Sequence, residues 1–148
     1  MGVTFRELDH SGFEEIKELF RSVFTAPPWN DDWSDERQLD EYLLDLMGAR
    51  MPLAFGLFEE ETLIGLSLGY IKHWYAGTEY VIDELCIRPE KQRSGYGTAF
   101  LAQIEAELQN RGIHTIFLTT ERNVPAFEFY CRLGFTELPE FTGFYKDF

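Results

Sequence analysis

The spacing of apolar residues divides the chain into helical and extended segments. Apolar side chains recur at helical spacing over Phe13–Phe24, and the Ser11–Glu14 pair before them fits a capping box. The two prolines in APPWNDDW end this first helix. A second amphipathic helix is predicted to run from an N-cap at Ser34 to Met47.

Extended segments are predicted where apolar and polar residues alternate or where apolar residues run together. The acidic stretch Glu59–Glu61 has the composition of a hairpin tip. The nearly continuous apolar stretch HTIFLTT is typical of a strand covered on both faces of a sheet. The predicted strands are Val3–Leu8, Leu53–Phe58, Leu63–Ile71, Glu79–Ile87, His114–Thr120, Phe135–Leu138 and Gly143–Asp147.

Two further helices lie between the later strands. One carries apolar residues from Phe100 to Leu108 and ends at Gly112, and the other is predicted to be capped by Asn123 and to end at Gly134. The chain begins with hairpins and continues with strand–helix–strand units. This order predicts a single α/β domain, residues 1–148, around a mixed sheet.

Composition limits the class of partner. The chain has 148 residues, is 45% hydrophobic and carries a net charge of −13. Such a charge repels nucleic acid and attracts small cations, although acidity also serves solubility. Without a bilayer-length apolar run or a signal-peptide segment, and with Cys86 and Cys131 expected to be reduced, the predicted location is cytoplasmic and away from membranes.

The stretch RPEKQRSGYGTAF, residues 88–100, has the composition of an anion-binding turn at the start of a helix. A Walker A loop requires Lys after its last glycine, but Thr98 follows Gly97. A dinucleotide fingerprint requires a small residue three positions later, where Phe100 stands. A pyrophosphate cradle of another kind remains, beside the alternative of a plain connecting turn.

The chain resembles the GNAT superfamily of N-acetyltransferases over essentially its whole length. Gln92–Gly97 satisfies the family's acetyl-CoA loop, which is Arg or Gln, two residues, Gly, one residue, and Gly or Ala. The sequence NVPAFEFYCRLGF, Asn123–Phe135, resembles the family's second hallmark. The resemblance implies a twisted, mostly antiparallel sheet with helices on both faces, and members of the aminoglycoside 6′-acetyltransferase and polyamine acetyltransferase types are the most similar in character.

The resemblance also implies where acetyl-CoA, the co-substrate, would bind. Its pantetheine arm would lie along one strand and its pyrophosphate on the glycine loop, with Asn123 holding the arm and Arg132 reaching a phosphate. The residues implied are Leu85, Cys86, Ile87, Gln92, Arg93, Ser94, Gly95, Tyr96, Gly97, Thr98, Asn123 and Arg132.

Acetyl transfer to an amine by direct attack in a ternary complex requires a base for the amine and an acid for the leaving thiolate. By the resemblance, Tyr130 is the general acid. Asp83 or Glu84 is the base; Asp83 is nearer the usual position, and side chains adjacent on a strand point to opposite faces. No histidine has the spacing to activate Cys86, which is interpreted as a core residue. No metal is expected.

The connection between the first two helices borders the acceptor site in the family. Here it contains Trp29, Asp32 and Trp33, and aromatic faces with carboxylates suit a cationic amine such as a polyamine or aminoglycoside. Protein or peptide acetylation and a non-catalytic acyl-CoA sensor are the alternatives. A homodimer is also expected from the resemblance.

Overall fold

The computed structural model describes residues 2–148, and this part of the chain contains five strands and four α-helices. Two short 3-10 turns, His10–Gly12 and Pro89–Lys91, precede α1 and the glycine loop. The elements are β1 Val3–Leu8, α1 Phe13–Phe24, α2 Glu36–Met47, β2 Pro52–Glu59, β3 Thr62–Trp74, β4 Gly77–Ile87, α3 Tyr96–Asn110, β5 Ile116–Leu118 and α4 Pro125–Arg132.

The strands form one sheet in the order β1-β2-β3-β4-β5. Neighbours are antiparallel from β1 to β4, and β5 is parallel to β4. The ladder between β4 and β5 runs only from Tyr80–Ile116 to Ile82–Leu118, so Asp83–Ile87 extends beyond it. The predicted mixed, mostly antiparallel sheet is confirmed.

Helices cover both faces of the sheet. The apolar faces of α1 and α2 pack on one side, around Phe20 and Leu43, while α3 packs on the other through Phe100 and Ile104. Both clusters follow the apolar spacing predicted from the sequence, which places one stripe of each helix toward the sheet. Within residues 2–148, no helix combines the length and apolar character needed to cross a bilayer.

Three of the predicted helix caps are wrong. The N-cap of α1 is Gly12, which makes no side-chain cap hydrogen bond, whereas Asp9 caps the preceding 3-10 turn by accepting from the Ser11 N–H. Asp35, not Ser34, caps α2 by accepting from the N–H of Gln38, since an ionised carboxylate accepts such a bond more strongly than a hydroxyl does. The N-cap of α4 is Val124, with Pro125 in its first turn, so Asn123 lies one residue before the cap.

The two predicted C-terminal strands are wrong as well. From Phe135 onward the described chain is assigned no strand, and the backbone hydrogen bond from Phe141 to Leu138 marks only a turn. A strand is stable only when a neighbour pairs with it. The β-type pattern of these residues therefore finds no partner within the described residues.

Because no strand within the described residues follows it in the sheet, β5 is less buried than predicted. This strand was predicted to be covered on both faces, but its three residues, Ile116–Leu118, are each only half-buried. It lies last in the sheet order, beside a cavity of about 500 Å³ bounded by α4 and the start of the tail. An apolar sequence here reflects a strand at the sheet margin rather than in its centre.

Candidate active site

A β-bulge in β4 produces the first unusual feature of the site. Leu68 of β3 lies opposite Glu84 and Gly69 lies opposite Ile82, so Asp83 is the extra residue. An extra residue shifts the alternation of side chains by one position. Accordingly, Ile82 packs in the cluster under α3, whereas Cys86 packs in the cluster under α1 and α2. Glu84 therefore points to the α1–α2 face.

Glu84 carries the most perturbed carboxyl group of the site. Burial raises the pKa of Glu84 from 4.5 to about 7, and the charges of Asp83 and Asp31 act in the same direction. A hydrogen bond from Tyr42 opposes the shift by stabilising the ionised form. Asp83 itself is exposed, and partial desolvation raises its pKa.

Tyr42, on α2, donates its hydroxyl to Oε1 of Glu84 at 2.6 Å. The ring of Trp33 stacks on that of Tyr42, with centroids 5.2 Å apart and planes 20° from parallel. Phe20 packs edge-on against Trp33 at 5.5 Å. The aromatic cluster therefore fixes the donor that faces Glu84.

Tyr130, on α4, lies on the opposite face of the sheet from Glu84. It belongs to the cluster under α3, where the centroids of its ring and the ring of Phe135 are 5.2 Å apart. Burial raises the pKa of Tyr130 well above its ordinary value, and the charge of Glu84 adds to the shift. The charge of Glu84 therefore acts on Tyr130 across the sheet.

Cys86 is a buried thiol. Its burial raises its pKa far above the ordinary value, so the sulfur stays protonated near neutral pH. A protonated thiol is a poor nucleophile. This agrees with the interpretation of Cys86 as a core residue.

The glycine loop has the backbone geometry of an anion cradle. Arg93 and Gly95 both adopt left-handed conformations, with φ of +61° and +86°. Gly95 is the N-cap of α3, and the first N–H groups of a helix have no partner within it. Amides of such a loop converge on one point and attract negative charge.

The loop is fastened by its side chains. Gln92 donates to the carbonyl of Ile87 at 2.9 Å, and Tyr96 donates its hydroxyl to Glu59 at 2.8 Å. Ahead of the loop, Arg88 forms two hydrogen bonds of 2.8 Å to Glu18. These contacts hold the amides in place before any ligand arrives.

The two glycines of the loop have different roles. Gly95 has open space where a Cβ would be, so its positive φ is the constraint. A Cβ on Gly97 would lie 3.1 Å from the ring of Phe129. Gly97 therefore allows α4, and Tyr130 with it, to approach α3 closely.

The α1–α2 connection carries aromatic and acidic side chains that differ in burial. Trp29 and Trp33 are half-buried against the core under α1 and α2. Asp32 is exposed, and hydrogen bonds from the side chain and the backbone N–H of Ser34 lower its pKa. Asp31, by contrast, is near enough to raise the pKa of Glu84.

Other predicted residues lie around these groups. Leu85 and Ile87 face the cluster under α3 and bring the backbone of β4 to the loop. Asn123 and Arg132 are exposed at the two ends of α4, and Ser94 and Thr98 belong to the loop and the first turn of α3. Glu84 and the backbone of Leu85–Ile87 are adjacent on β4, Tyr130 lies on the other face of the sheet, and Asp32 is exposed on the α1–α2 connection.

Sequence reasoning missed Tyr42 as a site residue. Its helical spacing in α2 predicts a core position, and that spacing holds no sign of a carboxylate partner 42 residues later. The bulge at Asp83 was equally invisible, because bulges have no fixed sequence signature outside the glycine type. The pair of acidic residues in an apolar strand was the available signal.

Comparison with known proteins identifies the fold family. The family model described as "Acetyltransferase (GNAT) family" matches residues 13–135. The chain belongs to this family. The match confirms the family and the acyltransferase class predicted from the sequence.

Among curated proteins, the GNAT chain is 36% identical over 69 residues to the [ribosomal protein bS18]-alanine N-acetyltransferase of Escherichia coli K12. The matched stretch covers 43% of this chain and 47% of that protein, which is less than half of the relative.

Two solved structures show the same fold at low identity. An aminoglycoside acetyltransferase from an uncultured soil metagenomic sample, in complex with sisomicin, is 19% identical, with a TM-score of 0.77 over 99% of this chain and 97% of that one. A predicted acetyltransferase with acetyl-CoA from Clostridium acetobutylicum is 15% identical, with a TM-score of 0.74 over 97% and 96%.

Proposed function

We propose that this GNAT domain transfers the acetyl group of acetyl-CoA to a primary amine of a small cationic acceptor, by direct attack in a ternary complex. The observation that carries the proposal is the pairing of Glu84 and Tyr130. Glu84 has a pKa of about 7 and Tyr130 a raised pKa, and the charge of Glu84 contributes to the shift of Tyr130. A base and an acid with separated pKa values are what amine acetylation requires.

Acetyl-CoA is proposed to bind along β4 and the glycine loop. The backbone of Leu85, Cys86 and Ile87 lies beyond the β4–β5 ladder and is available to the pantetheine amides. The amides from Arg93 to Thr98 would hold the pyrophosphate, supported by the left-handed residues of the loop. Asn123 and Arg132, exposed on α4, are proposed to contact the arm and a phosphate.

Proton transfer is proposed to run between two side chains. Glu84 accepts the proton of the attacking amine, because its pKa lies near neutral pH and leaves a useful fraction ionised. Tyr130 donates its hydroxyl proton to the departing thiolate, since its raised pKa keeps it protonated. Asp83, the first candidate for the base, is proposed instead to add negative charge beside the acceptor. The reaction needs no metal.

The acceptor is proposed to lie against the α1–α2 connection. Trp29 and Trp33 provide aromatic faces, and Asp31, Asp83 and Glu84 provide negative charge. Asp32 is proposed as an outer contact, because its carboxylate is already bound to the Ser34 N–H. A polyamine or an aminoglycoside fits this combination.

A peptide amino terminus is the second candidate acceptor. It is favoured by the 36% identity, over 69 residues, to an enzyme named for acetylating an alanine of a ribosomal protein. An α-amino group has a pKa near ~8 and therefore places less demand on the base than a primary amine near ~10. A non-catalytic acyl-CoA sensor would need neither Glu84 nor Tyr130.

A panel of amines separates these functions. CoA thiol release is measured with spermidine, a kanamycin-type aminoglycoside and an alanine-terminated peptide, in the native chain and in Tyr130→Phe. The proposal predicts turnover of a small polycation and a loss of about 10²-fold or more in Tyr130→Phe, with CoA affinity retained. Turnover of the peptide alone supports the second candidate. No turnover with any amine, despite CoA binding, supports a sensor.

A homodimer is proposed from the C-terminal tail. Phe144 and Tyr145 are 94% and 89% exposed, and Phe141 and Phe148 also face solvent. Residues of this kind seldom stay uncovered, and the tail has the alternating pattern of a strand. The margin of β5, beside the cavity that Phe117 and Leu118 line together with Phe141 of the same chain, is the surface proposed to pair with the tail of a second copy.

A further inference from the structure

Tyr42 and Glu84 form a contact that the proposed chemistry does not yet explain. The hydroxyl of Tyr42 donates to Oε1 of Glu84 at 2.6 Å, from a helix that belongs to the acceptor side of the domain. Burial and the charge of Glu84 raise the pKa of Tyr42 far above its ordinary value, so it remains a donor. The bond therefore persists whenever Glu84 is ionised.

The ring of Tyr42 is held independently of this bond. Trp33 stacks on one side at 5.2 Å, and Phe20 lies 5.9 Å from the ring. Loss of the hydroxyl alone leaves those apolar contacts intact. The packing fixes the position of the ring, and the hydroxyl supplies the hydrogen bond to Glu84.

Several groups face Glu84 from the elements packed around it. Tyr42 comes from α2 and Asp31 from the α1–α2 connection, while Tyr130 of α4 feels the charge of Glu84 from the other face of the sheet. Asp83 and Cys86 flank it on β4. Of these, Tyr42 is the group whose hydrogen bond favours the ionised carboxylate, while Asp31 and Asp83 disfavour it. The hydrogen bond from Tyr42 therefore lowers the pKa of Glu84, against the two negative neighbours that raise it.

We infer that Tyr42 is a positioning residue for acetyl transfer: its hydroxyl holds Oε1 of Glu84 and leaves Oε2 to take the proton of the acceptor amine. The inference rests on the proposed role of Glu84 as base. Its consequence is that Tyr42 sets the pH at which the base becomes ionised.

The variant Tyr42→Phe removes one oxygen and keeps the ring. A hydrogen bond to a charged group contributes enough for its loss to raise the pKa of Glu84 by about one unit. We therefore expect kcat/KM to fall about tenfold relative to the native chain at pH 6, and to come within about twofold of it at pH 9. The acceptor's own titration cancels, since both proteins use the same amine.

A readout without substrate separates this inference from the proposed function. The side-chain carboxyl carbon of Glu84 is followed by ¹³C NMR titration in the native chain and in Tyr42→Phe, with Glu84→Gln assigning the signal. The expected result is a higher carboxyl pKa in Tyr42→Phe. This titration tests the effect of Tyr42 on Glu84 even if no amine in the panel is acetylated.

A second variant tests the opposite direction. Incorporation of 3-fluorotyrosine at position 42 keeps the hydroxyl and makes it a stronger donor, so the pKa of Glu84 should fall below the native value. This variant also serves if Tyr42→Phe does not fold. Tyr75→Phe is the matched control, because it removes a hydroxyl from a side chain that is 90% exposed at the β3–β4 turn.

Each outcome decides the inference. Opposite shifts in the two position-42 variants, with no shift in Tyr75→Phe, support Tyr42 as the residue that sets the ionisation of Glu84. An unchanged Glu84 pKa in both variants overturns it. If the pKa shifts but the loss of kcat/KM is the same at pH 6 and pH 9, Tyr42 adjusts a carboxylate that is not the base, and the positioning role is rejected.

Discussion

At the scale of single residues, the raised pKa of Glu84 makes the free energy of unfolding depend on pH. Its pKa is raised from 4.5 to about 7, so the folded chain keeps a proton that the unfolded chain releases between these values. Because the pKa is raised in the folded state, the contribution of Glu84 to stability is fully present below about pH 4.5. It is lost as the pH rises through about 7.

Replacement by glutamine removes this dependence. Between pH 5.5 and pH 8, the free energy of unfolding of Glu84→Gln should rise by about 2 kcal/mol relative to that of the native chain. Urea unfolding at the two pH values measures it, with Glu41→Gln, at an exposed carboxylate on α2, as the control. A difference that does not change with pH would mean that Glu84 titrates normally.

At the scale of elements, the bulge in β4 depends on the absence of a side chain in β3. A Cβ on Gly69 would lie 2.2 Å from the carbonyl oxygen of Val81 and 2.8 Å from the ring of Tyr80. Gly69 is opposite Ile82, immediately before the bulged Asp83. The position of Glu84 therefore rests on a glycine in the neighbouring strand.

We expect Gly69→Ala to lower the free energy of unfolding by about 2 kcal/mol or more, because backbone and a buried ring must both move. It should also reduce CoA release, since Glu84 moves with β4. Gly12→Ala is the control, as its Cβ would meet only Ile16 at an ordinary 3.9 Å. Equal stability of the two variants would show that the strands tolerate a Cβ at Gly69.

Elements with a repeating apolar pattern could be predicted from the sequence. The spacing in α1 and the alternation in β1 fix both elements, because burial of one face enforces the period. The predicted N-caps of α1 and α2 were each wrong by one residue, because the helices begin after Gly12 and Asp35 rather than after Ser11 and Ser34. Residues that favour an N-cap are adjacent at both places, and the local sequence pattern does not distinguish between them.

The site was predictable where its residues are adjacent in sequence. The glycine loop and Tyr130 lie in motifs that the resemblance recognises, whereas the Tyr42–Glu84 bond joins residues 42 positions apart. Such a contact arises only when α2 packs on the sheet. The bulge at Asp83 then places Glu84, rather than Asp83, on the face of the sheet where Tyr42 lies.

At the scale of the whole molecule, the C-terminal tail exposes apolar side chains that nothing in the described chain covers. The sequence predicts strands there, but the described chain has none, and Phe148 is fully exposed. A second copy supplies the missing partner if each tail pairs with the β5 margin of the other. An interface of about 800 Å² per chain is the usual size for a stable complex.

Sedimentation equilibrium tests the dimer. The native chain should be a dimer at micromolar concentration, and a Phe144→Ser, Tyr145→Ser double variant should be a monomer. Leu44→Ser is the control, since Leu44 is an exposed apolar residue on α2, away from the tail. A monomeric native chain at tens of micromolar would contradict the dimer.

The central claim is that Glu84 removes the proton from the acceptor amine at the opening beside β4. Its most direct test is the pH profile of kcat/KM for CoA release, with the best amine of the panel, in the native chain, Glu84→Gln and Asp83→Asn. The account predicts an acidic limb near pH 7, which Asp83→Asn keeps but moves to lower pH because the charge of Asp83 helps to raise the pKa of Glu84. In Glu84→Gln that limb is absent and the rate falls by about 10²-fold or more. If Glu84→Gln keeps both the limb and the rate while Asp83→Asn loses them, the base is Asp83 and the claim is contradicted.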